Sequence, residues 1–285
     1  MSAFTTTATI AVFGGKLLKL THESAALKCR MALNLYVPPS TAVKIPVLFY
    51  LAGLTCSGDN GAEKGFLNYW AGKYGMAIVY PDTSPRGSNH PGENESWDFG
   101  SAAGFYIDAT AAPWSENYKM ETYITAELPA LLYAAYPTLD SSRVAITGHS
   151  MGGHGALSLF LKHPELYKSG SGFAPIANPT QCPWGKKAFA GYLATEAEWP
   201  QHDATELLRT YTGGPVDLLV SVGTADEFYT GGQLLVENLA AAAKENGREG
   251  EVTIVYAEGY NHSYFYVSSY AETHVTHAAR HLGLL

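Results

Sequence analysis

The stretch that decides the fold is Val144–Ala156, which reads VAITGHSMGGHGA. A short β-branched run ends in Gly-His-Ser-Met-Gly and is followed by a helix-like segment, the context in which the G-x-S-x-G motif presents a nucleophile. Gly148 and Gly152 lack Cβ atoms, so a strand and a helix can approach closely around a strained Ser150. The motif alone also fits a glycine-rich turn with an ordinary serine. Its context predicts a Ser150 hydroxyl above the sheet, at the positive end of the following helix.

Strand-like and helical segments alternate along most of the chain. An antiparallel hairpin is predicted first, from Thr7–Phe13 and Lys16–Thr21 joined at Gly14-Gly15. Further strands are predicted at Leu27–Val37, Pro46–Leu51, Met76–Tyr80, Arg143–Thr147, Lys168–Phe173, Asp217–Val222 and Glu251–Tyr256. Helices are predicted at Lys64–Tyr74, Tyr118–Tyr136 (kinked or divided at Pro129), Met151–His163, Gly185–Ala194, Ala204–Tyr211, Gln233–Asn246 and Tyr264–Leu282. With the motif, this alternation predicts an α/β-hydrolase fold: a mainly parallel central sheet with helices on both faces.

No repeat or linker-like change of composition divides the chain, so we expect residues 1–285 to form one domain. Two segments are candidates for the substrate site. Pro81–Pro113 is rich in Gly, Pro, Asp, Ser and Asn, and so long a loop in a compact domain is usually functional. Residues 174–215 form a helical insertion that is expected to contribute to the roof of the site.

Charge and cysteine content exclude several classes of function. The 285 residues carry a formal net charge of -8, with no basic cluster longer than Lys186-Lys187, which argues against nucleic acid or an anionic membrane as partner. The start of the chain lacks the basic and apolar regions of a secretory signal. Cys29, Cys56 and Cys182 have no metal-type spacing. We therefore expect a cytoplasmic protein with free thiols, no metal and no cofactor.

A serine nucleophile needs a base, and the base needs an orienting acid. In this fold the chain order is Ser, then Asp or Glu, then His, each at the carboxyl end of a strand. Asp226 follows the predicted strand at 217–222, and His262 follows the last one at 251–256. The sequence thus predicts a triad of Ser150, Asp226 and His262.

Both partners have alternatives. Asp226 is also a good helix N-cap, while Glu227 competes for the acid role and Asp217 lies at the wrong end of its strand. Six other histidines are candidates for the base. Three recur along the closing helix, where a solvated or packed position is favoured over a catalytic one, and one lies in the insertion. The remaining two flank Ser150 and so cannot come last in the chain order Ser, Asp, His. These six are His274, His277 and His281, then His202, then His149 and His154.

Attack on a carbonyl creates an oxyanion that needs preorganised donors. One donor should be the backbone N–H of Met151, the residue after the nucleophile. We expect the second to be the Leu54 amide, in the loop Ala52–Cys56 after an earlier strand. The alternative for this loop is a plain glycine turn.

Several segments together resemble the S-formylglutathione hydrolase (esterase D) family over nearly the whole chain. They are GLTC at 53–56, PDTSPRG at 81–87, ESWDFG at 95–100, GFYIDAT at 104–110, GHSMGGHGAL at 148–157, FAPI at 173–176, CPWGKKAF at 182–189 and HSY at 262–264.

The resemblance implies hydrolysis of S-formylglutathione to glutathione and formate, the last step of glutathione-dependent formaldehyde detoxification. It places the family's triad on the three residues that the chain order selects, its oxyanion amides on Leu54 and Met151, and suggests a homodimer. The chain departs from the family pattern at Asn261, where Asp is expected in many relatives, and at Glu227, where Gln is expected. No triad role depends on Asn261, and neither departure puts the activity class in doubt.

Substrate contacts are predicted from the loop at 53–56, the long loop and the insertion. The candidates are Cys56, Trp97, Trp184 and Lys186, with Lys187 and Arg86 as further cations for the glutathione carboxylates. Each has an ordinary alternative: core packing for the tryptophans, a small buried side chain for the cysteine, and solvated surface charge for the cations.

Two other functions are compatible with parts of the pattern. The first is a carboxylesterase acting on other short-chain acyl esters, which would use the same triad. The second is a non-catalytic binding module on a hydrolase scaffold, but such a protein usually lacks a triad member, and all three are present here.

Overall fold

A mixed β-sheet runs through the computed structural model, which describes residues 3–40 and 42–285. Within these residues the sheet has nine strands, in the spatial order β1-β2-β3-β5-β4-β6-β7-β8-β9. In chain order the strands are β1 (Thr5–Val12), β2 (Gly15–Ser24), β3 (Cys29–Val37), β4 (Ile45–Leu51), β5 (Ala77–Pro81), β6 (Leu139–His149), β7 (Gly170–Phe173), β8 (Leu218–Gly223) and β9 (Val252–Ala257).

The sheet changes character at β5. The pairs β1–β2, β2–β3 and β3–β5 are antiparallel, and every pair from β5 through β9 is parallel. Every residue of the central strand β4 is buried, as expected for a strand covered on both faces, whereas the edge strand β1 is mostly exposed. The predicted hairpin and the mainly parallel sheet are therefore confirmed.

Helices pack around this sheet. They are α1 (Gly58–Lys64), α2 (Leu67–Tyr74), α3 (Met120–Thr122), α4 (Leu128–Ala135), α5 (Met151–Lys162), α6 (Pro183–Tyr192), α7 (Ala204–Arg209), α8 (Glu227–Thr230), α9 (Val236–Glu245) and α10 (Tyr264–His281), with 3₁₀ helices at Trp114–Glu116 and Glu196–His202. Among the described residues, no helix combines the length and apolar character needed to cross a membrane.

Two helix predictions need correction. The helix predicted at Lys64–Tyr74 begins at Leu67, because Phe66 lies in a left-handed conformation (φ 59°) just before it. Lys64 instead ends a separate helix, α1, which Ser57 caps and which was not predicted. The predicted break near Pro129 is instead a π-helical turn, Tyr123–Glu127, that joins α3 to α4. Pro129 is the second residue of α4, where its missing N–H costs little. The 3₁₀ helix at Glu196–His202 was not predicted.

Candidate active site

Ser150 lies in the sharp turn between β6 and α5, with φ 60° and ψ −120°. A Cβ on Gly148 would lie 2.2 Å from the Gly152 carbonyl oxygen, and one on Gly152 would lie 2.0 Å from the Leu51 carbonyl oxygen. The Ser150 N–H donates to the Phe173 carbonyl at 2.9 Å, which fixes the turn to the neighbouring strand. The two glycines thus permit the close approach that holds the serine in a strained conformation, as the motif predicts.

Asp226 and His262 meet because they follow adjacent parallel strands, β8 and β9. The Nδ1 atom of His262 lies 2.5 Å from Oδ2 of Asp226, whose side chain is fully buried. The other carboxylate oxygen accepts the backbone N–H groups of Phe228 and Tyr229 at 2.8 and 3.2 Å, which caps α8. One carboxylate therefore caps a helix and holds the imidazole, so the alternative N-cap interpretation and the orienting interpretation both describe its contacts.

Ser150 and His262 line the same surface pocket, whose volume is about 280 Å³. Aromatic side chains form its walls. Trp97 packs edge-to-face on Trp184 with ring centroids 5.6 Å apart, and Trp184 lies 4.6 Å from Phe228. The long loop and the insertion thus each contribute one tryptophan to the pocket, with Trp97 54% exposed and Trp184 buried.

The loop after β4 packs directly against the serine. A Cβ on Gly53 would lie 3.0 Å from the Ser150 Cβ. The Thr55 N–H donates to the Ala102 carbonyl at 3.0 Å, which anchors the loop. In the part of the chain that the structure describes, the N–H groups of Leu54 and Met151 have no acceptor. Both N–H groups are therefore free to donate to another acceptor, and the prediction that they bind an oxyanion stays a prediction.

Cys56 lines this pocket and is half-buried. Burial raises the pKa of its thiol, an effect that a hydrogen bond from Tyr264 partly offsets. A raised pKa reduces the thiolate fraction, and the thiolate is the reactive form.

The three predicted cations lie elsewhere. Arg86 binds the Asp82 carboxylate and the Cys56 carbonyl, and Lys187 binds Asp98 and Ser96. Lys186 is exposed and lines a separate groove with Gln181 and Trp199. The described residues that line the pocket include no Lys or Arg.

The pocket residues that were not predicted include His149, Phe228 and Tyr264. Each lies one or two positions from a predicted triad member, so proximity in sequence was the available signal. His149 is buried, its ring lies 4.5 Å from that of His262, and neither of its ring nitrogens has a partner among the described residues. Burial, together with the nearby His262, holds the pKa of His149 well below its usual value, so this ring is neutral.

Comparison with known proteins shows which family this chain resembles. The family model described as "Putative esterase" matches residues 24–277. An S-formylglutathione hydrolase of Rattus norvegicus is 46% identical over 274 residues, covering 95% of both chains, and one of Paracoccus denitrificans is 44% identical with the same coverage. A solved structure of an S-formylglutathione hydrolase from Agrobacterium tumefaciens is 40% identical, with a TM-score of 0.93 over 99% of this chain and 100% of that one.

Proposed function

The chain belongs to the S-formylglutathione hydrolase family of esterases, and on that premise we propose that it hydrolyses S-formylglutathione to glutathione and formate in formaldehyde detoxification. Ser150 is the nucleophile, His262 the base and Asp226 the orienting acid. The observation that carries the proposal is the buried Asp226 carboxylate, 2.5 Å from the Nδ1 atom of a histidine that shares a pocket with a strained serine.

Acylation begins with a proton transfer. With Nδ1–H donated to Asp226, the Nε2 atom of His262 is left to accept the proton of the Ser150 hydroxyl. Oγ forms a bond to the formyl carbon, the C–S bond breaks, and the His262 proton passes to the glutathione sulfur. The products of this half-reaction are glutathione and a formyl ester on Ser150.

Deacylation repeats the sequence with water. Water gives a proton to His262 and attacks the formyl carbon, the bond from carbon to Oγ breaks, and Ser150 regains its proton from His262. The formic acid that is released loses its remaining acidic proton to water and becomes formate. In both half-reactions the free N–H groups of Leu54 and Met151 donate to the oxyanion. Losing one such donor typically costs about 3 kcal/mol of transition-state stabilisation.

The pocket supports a small acyl group. Its volume of about 280 Å³ must hold both the acyl carbon and the start of the thiol half, between the rings of Trp97, Trp184 and Phe228. Glutathione carries two carboxylates, and without a lysine or arginine on the described pocket wall their recognition rests on neutral donors such as the Asn60 amide. The predicted contact by Lys186 stays a prediction, as do the homodimer and the cytoplasmic location.

Substrate preference tests the proposal. We expect kcat/KM for S-formylglutathione to exceed that for S-acetylglutathione by at least about tenfold, because one added carbon in a tight pocket commonly costs that much. Measuring kcat/KM for p-nitrophenyl formate and p-nitrophenyl acetate gives the matched comparison, because these esters carry the same acyl groups on an oxygen leaving group. A clear preference for oxygen esters or longer acyl chains would contradict the proposal and favour a general short-chain carboxylesterase.

A further inference from the structure

A cluster of side chains of the types that bind metal ions lies away from the pocket, at the C-terminal end of α10. His277 and His281 are four residues apart on this helix, so they project from the same face, with ring centroids 4.8 Å apart. Asp217, the residue before β8, approaches them from the sheet, and its Oδ2 atom lies 2.9 Å from Nε2 of His281. One ligand atom from each of the three residues lies within 4.8 Å of the other two.

From this arrangement we propose that Asp217, His277 and His281 bind a divalent transition-metal ion, of which zinc is the best match. Two imidazoles and one carboxylate form a donor set typical of zinc, with the fourth position left to water. Donor atoms around a tetrahedral zinc ion lie about 3.3 Å apart, given bonds of about 2.0 Å. The Asp217 side chain is 58% exposed, so it can rotate to close the remaining gap.

His277 has a ring nitrogen that is free to bind a metal ion. Its Nε2 atom is buried and has no hydrogen-bond partner among the described residues. A metal ion would satisfy a buried polar atom that the fold leaves unpaired.

Local charge is mixed but favours a cation. Glu272 and Arg280 line the same hollow of about 490 Å³, and their opposite charges offset each other. The negative charge that remains near the site comes from the Asp217 carboxylate and from the negative C-terminal end of the α10 dipole at His281. Both attract a cation. The Asp217 backbone is anchored on both sides, because Glu251 accepts the N–H groups of Val216 and Leu218.

The position of the site suggests its role. Asp217 immediately precedes β8, whose other end leads to Asp226, and the two histidines lie in the last turns of α10, which starts after His262. A metal ion would therefore fasten together the far ends of the two elements that carry the acid and the base. This is a structural clamp, separate from the hydrolytic steps proposed for Ser150, Asp226 and His262.

Zinc binding by metal-free protein tests the inference, measured by competition with a chromogenic chelator and by the shift in Tm. We expect one zinc ion per chain and a zinc-dependent rise in Tm for the wild type. Asp217→Asn and His281→Ala should each weaken binding by at least about tenfold and abolish the rise in Tm. The matched control is Glu249→Gln, which removes one exposed carboxylate elsewhere and should bind like the wild type.

Either of two results would overturn the inference. One is zinc affinity in Asp217→Asn and His281→Ala equal to that of the Glu249→Gln control. The other is zinc that blocks hydrolysis of p-nitrophenyl acetate equally in all three variants, since that places the metal in the pocket with His262 and Cys56 instead.

Discussion

Ser150 and Ser221 each lie near a histidine, yet the two pairs are built differently. Ser221, in β8, has its Oγ atom 2.7 Å from Nε2 of His274 and 2.6 Å from the hydroxyl of Tyr266, and all three side chains are buried. The His274 ring stacks on Phe173 with centroids 3.6 Å apart, and its Nδ1 atom has no partner among the described residues. This pair is part of the core.

The pair at the pocket differs in three respects. Ser150 has a strained backbone where Ser221 lies in a regular strand, His262 faces a pocket, and its Nδ1 atom is bound to the carboxylate of Asp226. A base must carry a positive charge during catalysis, and a buried ring without a carboxylate cannot do so at low cost. A hydrogen bond between serine and histidine is therefore not sufficient for a nucleophile; access and a compensating charge are also needed.

The largest expected effect is that of Ser150→Ala. We expect kcat for S-formylglutathione to fall by at least about a thousandfold and up to about 10⁶-fold, because the nucleophile is lost. The matched control is Ser221→Ala, which should keep kcat while lowering the free energy of unfolding by about 1–3 kcal/mol, since His274 and Tyr266 lose a buried partner. Initial rates and urea denaturation measure the two quantities. Near-full activity in Ser150→Ala would refute the assignment of the nucleophile.

Asp226→Asn separates the two roles of this side chain and should have the second-largest effect. Asparagine is as good an N-cap as aspartate, so α8 and the Tm should be little changed. It cannot hold the same histidine tautomer or offset the imidazolium charge, so kcat should fall by about 10⁴-fold. Stopped-flow or steady-state rates, with Tm as the control for folding, decide this. A kcat within tenfold of the wild type would show that Asp226 acts only as a cap.

The smallest effect concerns pH and stability. Burial, with a contribution from His277, holds the pKa of His274 well below its usual value, so the folded protein keeps this ring neutral. In the unfolded chain it binds a proton as the pH falls below about 6.5, so the free energy of unfolding falls by up to about 1.4 kcal/mol per pH unit there, with no effect above it. His274→Gln should reduce that slope, whereas Ser221→Ala, which keeps the ring, should not. Urea denaturation at several pH values between 7 and 5 measures how the free energy of unfolding depends on pH. The same dependence in His274→Gln as in the wild type would contradict the argument.

Much of the pocket was predictable from the sequence. The elbow glycines and the strand ends were enough to select Ser150, Asp226 and His262, because parallel strands bring their carboxyl ends to one edge. The sequence did not predict that Asp226 would cap a helix and hold His262 at once, since both roles leave the same local pattern. Nor did it predict that Lys186 would face another groove, because side-chain direction on α6 depends on how that helix packs.

The sequence by itself determined the features that depend on local chemistry. Hydrophobic periodicity predicted the alternating strands and helices, and the glycines without Cβ atoms predicted the tight turn at Ser150. The order of residues along the chain predicted Asp226 and His262 as the partners of Ser150. Tertiary structure alone decided which histidine faces solvent and a carboxylate, and which is sealed in the core. His262 and His274 are the same residue type twelve positions apart. Their difference comes from burial and from groups distant in the chain, Asp226 for one and Ser221 with Phe173 for the other. The free energy of a charge depends on those surroundings, which no local pattern records.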